Sequence, residues 1–248
     1  MSTEQNKALI HRLFEEGINK GNLGVVDEVI APNYVNHDLP APAPGAEGFK
    51  QIIAMFRTAF PNLHVTDEDR SYVQNLFKSH MPSNEKFVVV GPGAANHIKR
   101  WKEEGFAQVC DKIIEDYKMQ IVFVGDGADQ EVVSRMKDQM KNKGIDFSGQ
   151  TSLGQLAEVL RRSVFVIAND SAIMHMASYL DVPVVAIFGP TDSNKYGPWS
   201  SKSYVVKKTD LFCAPCEKSG CAYHHECMKY IEPQEILETV KSMINELS

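Results

Sequence analysis

The stretch "VFVIANDSAIMHMASYLDVPVVAIFGPTD" (164–192) decides the fold of most of this chain. Its two ends, "VFVIA" (164–168) and "VPVVAIFG" (182–189), are apolar without alternation, so both read as strands buried on two faces. Between them, Ser171 to Leu180 reads as a helix. Strands of this kind alternating with helices imply a parallel sheet covered on both sides.

The same alternation continues outward. "KFVVVGPG" (86–93) and "MQIVFVGDG" (119–127) are strands, "GFAQVCDKIIEDY" (105–117) is a helix, and a further helix is expected over about 128–142. "IDFSG" (145–149) reads as a short strand and "SLGQLAEVLRRS" (152–163) as a helix. A last helix starts with Pro233 in its first turn and places Ile236, Leu237, Val240 and Ile244 on one face. Residues 86–248 are therefore predicted to form an α/β domain, a doubly wound parallel Rossmann-like sheet.

Before residue 70 the pattern differs. A helix is expected over 4–20, with Leu9, Ile10, Leu13, Phe14 and Ile18 at helical spacing. A short second helix carries Val25, Val26, Val29 and Ile30 and precedes Pro32. "LPAPAPG" (39–45) breaks the chain, and a third helix presents Phe49, Ile52, Ile53, Phe56 and Phe60. "LHVT" (63–66) begins a strand that "DEDR" interrupts. The expected division is a small, mostly helical segment over 1–70, a junction over 71–85 and the α/β domain over 86–248.

The chain of 248 residues is 43% hydrophobic and carries a net charge of −6. Up to Arg70 there are six basic and ten acidic residues, and beyond it twenty and twenty-two, so neither part has a basic field for nucleic acid. No apolar run reaches the ~18 residues of a membrane span, and the polar start "MSTEQNK" is not a signal peptide. The expected compartment is the cytoplasm, with peripheral attachment to the inner membrane face as a variant.

The chemistry gathers where strands end. In open α/β sheets ligands bind beyond the carboxyl ends of the strands, and the free N–H groups of a helix start favour phosphate there. Asn169-Asp170-Ser171 is such a corner, and Ser171 and His175 share one helix face. The glycines of "GPGAAN" (91–96) and "GDGAD" (125–129) allow close backbone approach at two more strand ends. Taken alone, Asp170 reads first as a helix N-cap, His175 as a hydrogen-bonded helix histidine and the glycines as plain βα turns. Convergence of three strand ends on one rim turns the reading toward a ligand.

Four of the five cysteines crowd into "CAPCEKSGCAYHHEC", where Cys213, Cys216, Cys221 and Cys227 have C-x2-C-x4-C-x5-C spacing. The first pair suits tetrahedral zinc; the second half is not a standard ribbon spacing. Zinc and reduced, packed thiols are both open readings, with thiols preferred. Cys110 lies on the apolar face of its helix and reads as core.

These motifs resemble the carboxy-terminal half of glycosyltransferase family 9, the ADP-heptose:lipopolysaccharide heptosyltransferases. The likeness is carried, in order, by "GPGAANHIKRW", "VFVGDGADQE", "FSGQTSLGQLAEVLRRSVFVIANDSAIMHMASYLDVPVVAIFGPTD", "GPW" and "CAPC…C…C". It implies a GT-B fold, whose carboxy-terminal domain holds a nucleotide-sugar donor, ADP or an ADP-sugar, with no cofactor required. It implies that Lys99 meets the diphosphate, that Asp170, Ser171, Ala172 and His175 surround the diphosphate and sugar, and that Thr151 falls near the adenosine. Ala172 stands where the family usually has Gly, and its methyl crowds backbone contacts to phosphate. Residues 1 to about 69 resemble the start of a SnoaL-like polyketide cyclase or isomerase, on "NKALIHRLFEEGINKGNLGVVDEVIAPNYVNHD" and "EGFKQIIAMFRTAFPNLHVT".

The first functional expectation is thus a donor-binding domain of a heptosyltransferase-like, inverting enzyme. The acceptor and the catalytic base would come from an amino-terminal Rossmann domain or a second chain, so no catalytic residue is assigned. The alternatives are a SnoaL-like cyclase or isomerase using His37 and Asp38, and a non-catalytic nucleotide-binding fusion. The chain reads as two fragments joined near residues 67–75.

Overall fold

The structure, a computed structural model, describes residues 8–9, 12–13, 16–17, 21–32, 34, 43, 45–59, 66–81, 85–198 and 200–247. The chain forms two compact units, Met1–His64 and Val65–Ser248.

In the first unit, the described residues among 8–17 are helical, and helices α1 (Gly24–Val29) and α2 (Gly45–Ala59) follow. Leu13, Val26 and Ile53 are buried together, with Leu23, Val29, Ile30 and Phe49 packed around them. Tyr34 meets Phe49 edge to face at 6.0 Å. The apolar faces read from the sequence therefore have a small cluster of their own. Most of the helix expected over 4–20 lies outside the described residues, as do His37, Asp38, most of the proline-rich break and residues 63–65 of the expected strand.

The second unit runs α3 (Asp67–His80), β1 (Phe87–Gly91), α4 (Glu103–Tyr117), β2 (Gln120–Phe123), α5 (Gln130–Gln139), β3 (Ile145–Asp146), α6 (Leu153–Arg162), β4 (Val166–Asn169), α7 (Ala172–Tyr179), β5 (Val184–Ile187), α8 (Ser193–Tyr196), β6 (Ser203–Val206), α9 (Glu226–Lys229) and α10 (Pro233–Leu247). The six strands lie in the order β3-β2-β1-β4-β5-β6. All adjacent pairs are parallel, including β1 with β4, where Val89 faces Val166 and Gly91 faces Ala168. The predicted doubly wound parallel sheet is what forms.

Successive side chains on a strand point to opposite faces, so every buried strand feeds two cores. Val88, Val90, Ile121, Phe123, Ile167, Val185 and Ile187 face a layer of α4, α5 and α10, where Phe106, Ile113, Met136, Ile236 and Val240 lie. Phe87, Val89, Val122, Val166, Ala168, Val184 and Ala186 face the other side, where Val73, Phe77, Leu160, Met174 and Ala177 of α3, α6 and α7 cover them.

Helix α3 occupies the "DEDR" interruption and most of the stretch that the sequence reading took as a junction over 71–85. Thr66 is the N-cap: its hydroxyl accepts from Asp69 N–H at 3.0 Å, and the Asp69 carboxylate accepts from Thr66 N–H at 3.1 Å. "DEDR" thus starts a helix. Phe77 then packs against Phe87 and Phe147 at ring distances of 4.8 and 5.3 Å. Helix α5 ends at Gln139, short of the expected 142, because the Asp111 carboxylate accepts from Lys141 and Asn142 N–H at 2.9 and 2.8 Å and turns the chain away. Strand β3 stops at Asp146, whose carboxylate accepts from Ser148 N–H at 2.9 Å. Strand β6 is an addition at the sheet edge that four residues of "SYVV" did not announce.

The corner after β4 is fixed by Asn169, which is fully buried. Its Nδ2 donates to Pro92 O at 2.7 Å and its Oδ1 accepts from Trp101 N–H at 3.1 Å. The amide thereby ties down both ends of the segment that follows β1. Trp101 is held again through its indole N–H, which donates to Ile231 O at 3.0 Å.

Two outcomes are expected. Phe77→Ala should lower stability toward chemical denaturation by about 3–5 kcal/mol, as a large-to-small core change does; a change below 1 kcal/mol would place α3 outside the folded unit. Asn169→Ala leaves a buried N–H and a buried C=O without partners, at ~1–3 kcal/mol each, and the same titration measures it.

Candidate functional site

The strand order reverses between β1 and β4, and such a switch point opens a crevice at the carboxyl ends of the strands. A cleft of about 960 Å³ lies there, lined by the segments after β1, β2, β3 and β4. Lys99, Thr151, Asp170, Ser171, Ala172 and His175 all border it, so the structure brings the sequence-predicted binding residues together.

Two glycines shape its floor. A Cβ on Gly93 would lie 2.1 Å from Asp129 Oδ1, and one on Gly125 2.7 Å from Asp129 Oδ2. Backbone from two strand ends can therefore close around the Asp129 carboxylate. Burial raises the Asp129 pKa above the ordinary carboxyl range; the N–H of Asp126 opposes this, the Asp126 charge adds to it, and Arg100 opposes it. Arg100 Nη2 stands 3.9 Å from Asp129 Oδ1 and its Nε donates to Ala94 O at 2.9 Å. Sequence reading passed over Arg100 and Asp129. The Asp126-x-x-Asp129 capping box was the available signal, since it starts a tight turn directly at a strand end.

At the β4–α7 corner the N-cap is Ser171, with no side-chain hydrogen bond closing the helix start. The N-cap reading of Asp170 is thus corrected: its position is one residue too early. Asp170 is only 6% exposed and its Oδ2 lies 2.7 Å from Lys99 Nζ. This contact is an ion pair by distance, while the oxygen receives no directional hydrogen bond. The Ser171 hydroxyl is likewise buried without a hydrogen-bond partner. Elsewhere in the unit, α3 and α6 begin with complete capping boxes at Thr66 and Ser152. The first-turn N–H groups of α7 keep their capacity for an outside acceptor.

His175 follows one turn later, part-buried. Burial lowers its pKa below 6.5, the nearby Asp170 carboxylate raises it, and Lys99 lowers it. A ring so placed is neutral at pH 7 and can both donate and accept. Ala172 is exposed at the start of α7, so its methyl stands at the cleft surface. Leu153, 44% exposed, and Leu156 give the far end of the cleft an apolar lip beside Thr151. An exposed leucine just behind a helix cap was the readable signal for that end.

The cysteine loop forms a separate hollow of about 280 Å³, bordered by Cys213, Cys216, Cys221 and Cys227. All five cysteines are free thiols, and Cys110 is core. Cys221 Sγ accepts from Tyr223 and His225 N–H at 3.3 and 3.2 Å. Burial and then the Cys221, Cys213 and Cys216 sulfurs push the Cys227 thiol up to about 11. Among the described residues, no group of three or more His, Cys, Asp or Glu side chains is gathered to hold a metal ion. Nor, among them, is any helix long and apolar enough to cross a membrane.

Comparison with known proteins extends this picture. The profile of SnoaL-like polyketide cyclases matches residues 8–75. Lipooligosaccharide heptosyltransferase 2 of Campylobacter jejuni is 28% identical over 168 residues, covering 66% of this chain and 53% of that protein. The chain thus spans about half the length of the curated relatives it matches. The crystal structure of a glycosyl transferase family 9 protein from Veillonella parvula superposes with a TM-score of 0.66 at 26% identity, covering 81% of this chain and 60% of that one. The E. coli ADP-heptose lps heptosyltransferase II shares the fold, with a TM-score of 0.65 at 23% identity over 98% of this chain and 75% of that one. The profile of glycosyltransferase family 9 (heptosyltransferase) matches residues 53–226, most of the α/β unit that carries the cleft, and the chain belongs to that family.

Proposed function

We propose that the cleft at the β1–β4 switch point binds a nucleotide-sugar donor, an ADP-sugar of the ADP-heptose kind, for a heptosyltransferase-type transfer. The observation that carries this reading is the start of α7. Its N–H groups are uncapped, the buried Ser171 hydroxyl lacks a partner, and Lys99 stands beside it. A diphosphate supplies the acceptor oxygens and negative charge that this arrangement favours. The adenosine then extends toward Thr151, Leu153 and Leu156, and the acids after β2 lie where such folds engage the ribose.

The transfer is a displacement at the anomeric carbon. The bond from that carbon to the diphosphate oxygen breaks, an acceptor hydroxyl oxygen bonds to the opposite face, and the configuration inverts. Lys99 and the helix start stabilise the charge that grows on the departing ADP, the step at which such preorganised donors count most. They supply this without a cofactor. Asp170 and neutral His175 face the sugar side as acceptor and donor. The proton of the acceptor hydroxyl passes to a base from the acceptor side, on an amino-terminal domain or a second chain.

Lys99→Ala should weaken ADP binding by about 1.5–3 kcal/mol, the loss of a charge-assisted hydrogen bond. Asp170→Asn removes the carboxylate that competes for Lys99 and should not weaken ADP. Isothermal titration reads both, and an unchanged ADP affinity in Lys99→Ala would falsify the site.

A pH dependence follows from His175. Its folded pKa lies below the ordinary 6.5, so the unfolded chain takes up that proton more readily. Its contribution to stability is complete above pH 6.5 and is lost as pH falls from there toward the folded value. His225 is lowered too, by burial first. His175→Gln should therefore reduce, without abolishing, the fall in melting temperature across that window. Equal slopes in both proteins would contradict the neutral buried imidazole.

A further inference from the structure

A second hollow of about 360 Å³ shares Asn96, Lys99, Asp170 and His175 with the main cleft. From this common centre the main cleft runs toward Thr151 and Leu153, whereas the second runs toward Pro190 and Thr191 after β5, Tyr196 of α8 and Glu217–Ser219 of the cysteine loop. A two-armed site with a lysine at its centre fits a two-armed ligand joined by a diphosphate.

The second arm is lined for hydroxyl groups. Glu217 accepts, Lys218 donates, and Thr191, Ser219 and Tyr196 can do both. An apolar substituent would leave such groups unpaired. A third phosphate would meet the carboxylates of Asp170 and Glu217, which offset the attraction of Lys218. A polyhydroxylated ring meets neither obstacle.

The position of Glu217 is fixed by backbone. Its φ of 51° is left-handed, a region that costs a residue with a Cβ. The conformation is held because Pro190 O accepts from both Cys216 N–H at 3.0 Å and Glu217 N–H at 2.8 Å. That carbonyl belongs to the segment leaving β5, so the sheet itself sets where the cysteine loop presents its carboxylate. Lys195 Nζ, at 3.9 Å from Glu217 Oε2, borders the same corner. Those two bonds to Pro190 O hold the left-handed backbone at the rim of the hollow, so the fold sets where the chain carries the Glu217 carboxylate.

We propose that this arm is the sugar-recognition subsite and that Glu217, delivered by the cysteine loop, is its specificity-determining residue. The inference rests on the donor-site reading above, and it assigns the cysteine loop a part in choosing the sugar.

The test uses the full chain and isothermal titration with ADP, ATP, ADP-heptose and ADP-glucose. The wild type should bind one ADP-sugar more tightly than ADP, and ATP no more tightly. Glu217→Gln and Glu217→Ala change a half-exposed side chain and should leave ADP affinity within about twofold. Both should weaken the preferred ADP-sugar about tenfold, the loss of one hydrogen bond to a charged group. The proposal is overturned if the ADP-sugar and ADP affinities keep their ratio in the variants, whether both fall or neither does. It is also overturned if no ADP-sugar binds more tightly than ADP to the wild type. Failure of the wild type to bind ADP at all would overturn the donor-site reading with it, so the two failures are distinct.

Discussion

The side-chain amide of Asn169 is the joint on which the site depends. It sits at the end of β4, fully buried, and spends its donor on Pro92 O and its acceptor on Trp101 N–H. The eight residues between those two anchors include Asn96, Lys99 and Arg100, which border the cleft. Without the amide this segment would have two buried polar groups to satisfy and no fixed path past the corner. Burial makes the constraint strong, because an unmade hydrogen bond there carries the full desolvation penalty. Lys99 is thus positioned against Asp170 by a residue that does not itself border the cleft.

The charges at the corner are arranged as a poised pair. Asp170 is nearly buried, and a carboxylate so placed requires a compensating charge. Lys99 provides it from a side chain that remains 30% exposed. The corner thus holds a cation in place beside an uncapped helix start, which is what the proposed diphosphate site relies on. His175 belongs to the same corner: burial lowers its pKa and so favours the neutral imidazole beside the Asp170–Lys99 pair. The sheet supplies the rigidity for all of this, with a core on each face and helices covering both.

The first unit stands apart in architecture. Leu13, Val26 and Ile53 form a small core without sheet among the described residues, and the match to SnoaL-like cyclases over residues 8–75 overlaps the family 9 match from residue 53 onward. The overlap falls on α2 and α3. Helix α3 packs on the sheet of the second unit through Val73 and Phe77, so in packing terms it belongs to the glycosyltransferase part.

The amino-acid order alone carries the strand–helix alternation, the parallel sheet and the rim where Asp170, Ser171 and His175 meet Lys99. Apolar runs and helical spacing are local patterns, and a strand without alternation can only be buried on both faces. It did not determine α3, since "DEDRSYVQNLFKSH" is polar apart from a few positions and its helix is held by aromatic contacts with Phe87 and Phe147. It misplaced the cap of α7, because the choice between Asp170 and Ser171 depends on a lysine 71 positions away in the chain. It could not show that Glu217 borders the second hollow, because a carbonyl at Pro190 fixes that loop. Periodicity is written between neighbours, whereas ion pairs, caps and loop anchors are settled by groups that only the folded sheet brings within 3 Å of one another.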